Sequence, residues 1–172
     1  MKICRSDRLF HYLLGSEENL PLIVERGILP LSAFPESEAW RRLEESLPGF
    51  YQAIYEAIGK PVLKRPYTNS GVFLTPIDFR LMTGSPLSRH TRITIPLEAV
   101  DPDYSTLTYV LNDERVVLPL SVENLEQAAL LWPEQRVREW FGKNPNMIFF
   151  YVPQVAVYRE GGISICPEWI EK

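Results

Sequence analysis

Apolar residues recur at helical spacing early in the chain and at strand spacing later. Residues 10–13, Phe-His-Tyr-Leu, read as a short strand with a histidine at its end. Leu20, Ile23 and Val24 then follow a helical period that places them toward a core. Ser16 ahead of them is a good N-cap, Glu17 and Glu18 sit where the helix dipole favours acid, and Gly27 suits a C′ stop. A second helical region spans about residues 35–58. Ala39, Trp40, Leu43 and Leu47 make one stripe. Pro48 restarts the helix, and Tyr51, Ile54, Tyr55 and Ile58 make another before Gly59 and Pro61 end it.

Beyond residue 70 the period shortens to two. Residues 70–76 read as a short buried strand, and Thr91, Ile93, Ile95 and Leu97 alternate with Arg92, Thr94 and Pro96 as in a half-buried one. Residues 106–111 and 115–120 are β-rich runs around Asn112-Asp113-Glu114, a natural hairpin turn. Ser121 caps a helix through Leu125, Ala128, Ala129 and Leu131, and Pro133 starts another ending near Phe141-Gly142. Strands over 147–152, 155–158 and 163–166 precede a closing Pro167-Glu168-Trp169-Ile170. Early helices and late strands, with no repeat or linker, predict an α+β fold. The whole chain, 1–172, forms a single domain with N-terminal helices, a segment at about 35–59 among them, packed on a mostly antiparallel sheet.

Composition agrees with a folded chain: 172 residues, 45% hydrophobic and 23% charged, are enough for a real core. No apolar run approaches the roughly 20 residues that cross a bilayer, and the N-terminus lacks a signal-peptide core. A cytoplasmic protein with no membrane partner is expected. Cys4 and Cys166 then stay free thiols. With 18 Lys+Arg against 22 Asp+Glu, the chain lacks the charge of a general nucleic-acid binder. Arg80, Arg89, His90 and Arg92 make one local basic stretch, which a solvated strand face explains equally well.

Metal chemistry finds no support, because His11, His90, Cys4 and Cys166 show no ligand spacing. No glycine-rich phosphate loop or nucleophile elbow occurs. One strand-end histidine, several arginines and tyrosines and a turn-borne glutamate remain. That set suits nucleotide binding and oxocarbenium-type chemistry better than metal-assisted hydrolysis.

His11-Tyr12, followed by Asn19-Leu20-Pro21 and an amphipathic turn closing in Gly27-Ile28-Leu29, resembles the N-terminal motif of DarT-type ADP-ribosyltransferases. Residues 163–169, a strand and then Pro167-Glu168-Trp169, are similar to the family's ending. Residues 114–121 are similar to the segment in which such folds carry a glutamate just ahead of a strand. The resemblance implies a split sheet of the ADP-ribosyltransferase type, NAD as substrate and no metal. It implies ADP-ribose transfer to a nucleic-acid or protein acceptor, in a toxin-like protein. His11 would then hydrogen-bond the NAD ribose and Asn19 would help hold the cofactor. Tyr12 or Tyr67 would stack on nicotinamide, and an arginine among Arg41, Arg65 and Arg89 would pair with the pyrophosphate. Glu114 would stabilise the positive charge that develops as nicotinamide leaves, where preorganised negative charge is worth several kcal/mol.

Each residue also has a plain structural role. His11 suits a half-buried strand, Asn19 a supplementary cap, Glu114 an exposed turn and Arg89 a solvated face. The chain has Leu13 where the family has threonine. The alternative is therefore a non-catalytic relative that serves as a small binding or protein-interaction module. The two readings divide on whether His11, Asn19 and Glu114 converge within about 10 Å on one cleft.

Overall fold

The alternation along residues 91–97 is realised as a strand whose burial follows its sequence. Ile93 and Ile95 point inward, and Arg92, Thr94 and Pro96 are only half-buried. The computed structural model describes residues 3–13, 19–65, 71–82, 84–143, 151–158 and 165–170. Its strands are β1 (Arg8–Tyr12), β2 (Val72–Leu74), β3 (Arg92–Pro96), β4 (Ser105–Leu111), β5 (Glu114–Pro119) and β6 (Gln154–Val157). β1 and β3 pair as one sheet, the others form a second in the order β2-β6-β4-β5, and every pairing is antiparallel. With helices beside them, this is the expected α+β architecture.

Helices flank the strands: α1 (Leu20–Arg26), α2 (Glu38–Ser46), α3 (Phe50–Ile54), α4 (Val122–Leu131) and α5 (Glu134–Lys143). On one face of the four-stranded sheet, Leu74, Leu107, Val155 and Val157 share the main core with Leu9, Ile93 and Ile95. Leu125 and Ala128 of α4 and Val137 and Phe141 of α5 complete it. The opposite face carries Phe73, Ala156 and Tyr158 beneath Tyr55, which lies in the π-helical turn Tyr55–Gly59 that continues α3. Ser121 caps α4 as expected, accepting from Asn124 N at 3.2 Å. No helix among the described residues is long and apolar enough to cross a membrane.

Four local expectations change. The β4–β5 turn has two residues, not three: Asn112 and Asp113 take φ of 51° and 64°, the primed turn that matches strand twist. Glu114 therefore opens β5, opposite Leu111. Gly27 is not a left-handed helix stop. Its φ of 84° with ψ of −178° carries the backbone past Ile165, whose carbonyl oxygen would lie 2.1 Å from any added Cβ. The stripe on α2 reaches no core, for that helix has no buried residue; Trp40 instead stacks on Tyr51 at 6.2 Å. Tyr151 and Val152, expected in a strand, form a bend. Expectations on 16–18, 70, 147–150, 163 and 164 lie outside the described residues.

Candidate functional site

The two sheets meet at one bridge and diverge beyond it as a fork. Phe10 N donates to Thr75 O at 2.8 Å and Thr75 N to Phe10 O at 2.9 Å, a closed antiparallel pair joining β1 to the end of β2. The next such pair would be Tyr12 with Phe73. It does not form as a ladder pair, because β1 has turned away along β3. Leu13 N bonds Thr91 O on the β3 side, so by alternation the peptide N–H and C=O of Tyr12 face the fork. His11 fills the gap: its Nδ1–H donates to the Phe73 carbonyl at 3.2 Å, taking the place of a ladder donor.

A carbonyl only accepts, so this bond places a proton on Nδ1, and in the neutral imidazole Nε2 is then an acceptor. Burial pushes the His11 pKa below its ordinary 6.5, against the smaller opposing effect of the Phe73 carbonyl. The residue is neutral at physiological pH.

A cavity of about 820 Å³ opens beside the fork. His11, Tyr12 and Asn19 all line it, and Phe34, Phe50, Tyr51 and Phe73 give it aromatic walls. Tyr51 stacks on Phe73 with centroids 6.1 Å apart, extending the stack from Trp40. Asn19 is exposed and its side chain does not cap α1. Tyr12 is buried with its ring edge-on to Phe79. Its hydroxyl accepts from Phe79 N at 2.8 Å and donates to Asp78 Oδ1 at 3.4 Å. Burial, and then the Asp78 charge, raise its pKa. Asp78 is also paired with Arg92, whose guanidinium lies over the Phe10 ring.

Glu114 is not part of this cleft. It stands five residues along β5 from Pro119, which is level with Thr106, Ala156 and Phe73 across the sheet. At about 3.3 Å per residue and about 4.8 Å per strand, it lies on the order of 20 Å from Phe73. Local sequence around the turn could not show at which end of the sheet the hairpin tip falls. Arg89 is exposed at the end of a 3-10 turn and lines no part of the cavity; neither does Arg41 or Arg65. Arg65 instead lies 3.8 Å from Asp103 and over the Tyr104 ring. Tyr67 is outside the described residues.

Three lining residues were not singled out by sequence. Arg26, in the last turn of α1, is the one Lys or Arg among the described residues that line the cavity, and Glu36 is the one Asp or Glu. Both are exposed. Gln154, at the start of β6, is 2% exposed. One step beyond the last β2–β6 pair, Leu74 with Val155, it falls opposite Thr75, and it is paired with Thr108 on its other side. Thr75, Gln154 and Thr108 thus form a buried polar row across three strands. Thr106 lies one row away, and its buried hydroxyl has no hydrogen-bond partner. The available signal was a glutamine opening an otherwise apolar strand run.

Among the described residues no three His, Cys, Asp or Glu side chains gather as metal ligands. No protein-family model, curated protein or solved structure matches this chain.

Proposed function

We propose that the cleft binds a dinucleotide of the NAD class and that the protein is an ADP-ribosyltransferase-like binding module. The fork carries this reading: His11 Nε2 is a fixed acceptor and Tyr12 turns its peptide groups to the same opening, beside a cavity large enough for a dinucleotide. A ribose hydroxyl is a donor that suits Nε2, and aromatic walls suit a planar base. Asn19 contributes a second polar contact, and Arg26 takes the phosphate role expected of Arg41, Arg65 or Arg89.

Binding without turnover is favoured over transfer to a nucleic-acid or protein acceptor by one observation. Glu114, the carboxylate assigned to the departing nicotinamide, is far from His11, and the described wall offers only the exposed Glu36. Oxocarbenium formation gains from a preorganised anion at the anomeric carbon. The test is thermal unfolding of the full chain with and without NAD, beside an assay for released nicotinamide. A rise in Tm with no release is expected. No shift with NAD would overturn the dinucleotide reading. Nicotinamide release that disappears in Glu114→Gln would overturn the binding-only reading and restore the transferase.

A further inference from the structure

Among the described residues that line the cavity, Phe34 carries the one Phe or Tyr ring without a ring or cation partner. The others are engaged. Phe10 lies under the Arg92 guanidinium, Tyr12 and Phe79 meet edge-on, and Phe50 and Phe73 each pack against Tyr51. Two residues beyond Phe34 is Glu36, the one carboxylate of the described wall. It is exposed, and among the described residues its side chain has no hydrogen bond or ion pair, whereas Arg26 has Glu25 at 3.6 Å.

The backbone holds both positions. Phe34 closes the 3-10 turn Leu31–Ala33: its N–H donates to Leu31 O at 3.0 Å, and its carbonyl accepts from Ser37 N at 2.9 Å. Ser37 in turn caps α2, accepting from Trp40 N at 3.2 Å. Pro35 fixes φ between the two residues. A half-buried aromatic ring and an exposed carboxylate thus stand together at the rim of the cavity.

This pair has the chemistry of a site for an organic cation. A ring face attracts positive charge through its quadrupole, and the carboxylate adds Coulombic attraction. The buried part of the wall is unsuited to such a group. Phe10, Leu74 and Thr75 are uncharged there, and a cation would lose its hydration with no anion beside it.

Resting on the dinucleotide reading, we infer that Phe34 and Glu36 form a subsite for a positively charged pyridinium ring, so that the cleft prefers the oxidised dinucleotide to the reduced one. The two forms share every phosphate, ribose and adenine group. They differ in the nicotinamide ring, which is cationic and aromatic only when oxidised. The neutral adenosine half then takes the buried wall, and the phosphates lie with Arg26. Holding the ring by its positive charge stabilises the intact dinucleotide relative to the neutral nicotinamide that cleavage releases, which accords with binding without turnover.

The experiment titrates NAD, NADH and ADP-ribose calorimetrically into the full chain and into its Glu36→Gln and Phe34→Leu variants. ADP-ribose lacks the ring. The wild-type protein binds NAD about fivefold or more tightly than NADH, as expected of an exposed cation–π contact together with an exposed ion pair. Each variant weakens NAD by about threefold and changes ADP-ribose by less than about twofold, which also shows that it is folded. In Glu36→Gln the NADH affinity changes by less than about twofold, so the preference narrows. Equal wild-type affinities for NAD and NADH would overturn the subsite and leave the dinucleotide reading standing. So would variants that keep the full preference, or that weaken ADP-ribose as much as NAD. Binding of none of the three would overturn the dinucleotide reading, and the subsite with it.

Discussion

Substitution of His11 separates the two tasks of its ring. In His11→Ala the Phe73 carbonyl loses the Nδ1 donor that stands 3.2 Å away at the fork, in the interior of the sheet. A buried polar group deprived of its partner costs about 1–3 kcal/mol. For a chain of this size each kcal/mol moves Tm by about 2–4 °C, so a fall of roughly 2–12 °C is expected by calorimetry. Asparagine carries its amide nitrogen at the δ position, as imidazole carries Nδ1, so His11→Asn keeps the bond to Phe73 and deletes only Nε2. It should recover at least half of the lost Tm. Neither variant should show the stabilisation by NAD expected of the wild-type protein. The pH dependence has a definite sign. Burial lowers the folded-state pKa of His11 below 6.5, so below that pH the unfolded chain takes up the proton first. The stability lodged in neutral His11 is complete above about pH 6.5 and is lost as the pH falls further. The Tm advantage of wild type over His11→Asn should therefore narrow between pH 8 and pH 5.5. Equal destabilisation of the alanine and asparagine variants, or an alanine variant within about 1 °C of wild type, would refute the role of the imidazole as a substitute ladder donor.

Buried hydroxyls give a second, internally controlled expectation. Tyr12→Phe removes the acceptor of Phe79 N and a partner of Asp78, and should cost about 1–3 kcal/mol in urea denaturation. Tyr158→Phe and Thr106→Val each remove a buried hydroxyl with no partner, and should be neutral or stabilising by about 1 kcal/mol. Gly27→Ala combines a φ of 84° with a Cβ driven against the Ile165 carbonyl. It should destabilise by more than about 2 kcal/mol and expose the Ile28 amide, bonded to Ile165 O at 3.0 Å, to hydrogen exchange.

Elements with one buried face were legible, because their side chains record which face that is. β3 alternates in sequence as it does in burial; β4, buried on both faces over most of its length, was legible instead from the Asn-Asp turn that joins its β-rich run to β5. β6 is covered on both sides, so alternation disappears there and nothing distinguished Gln154 as a residue facing a cavity. α2 misled in the opposite sense. Its amphipathic spacing is real, yet the helix has no buried residue and only Trp40 engages a ring stack. Of the site, His11 and Asn19 were legible as a strand end and a helix start that lie close in sequence. Arg26 read as an ordinary last-turn cation. The location of Glu114 depends on strand order, β2-β6-β4-β5, and strand order is a non-local property that no segment near the hairpin encodes.

The cavity follows from what holds β1 away from β2. A continued ladder beyond Phe10 and Thr75 would gain the Tyr12–Phe73 pair, and three attachments oppose it. β1 is registered with β3 along its whole length, from Arg8 opposite Pro96 to Tyr12 opposite Arg92. The Tyr12 hydroxyl is tied to Phe79 N and Asp78, beyond the end of β2. Asp78 is in turn paired with Arg92, which belongs to β3 and so pulls the turn toward that strand. Each attachment favours the β3 side, and together they replace one pair of ladder bonds with several side-chain bonds of similar individual strength. His11 then donates to the Phe73 carbonyl at the point of divergence, which is why a histidine at this strand end serves the fold whether or not the cleft is occupied. Its second nitrogen is not needed for that purpose, and it is the nitrogen left to a ligand.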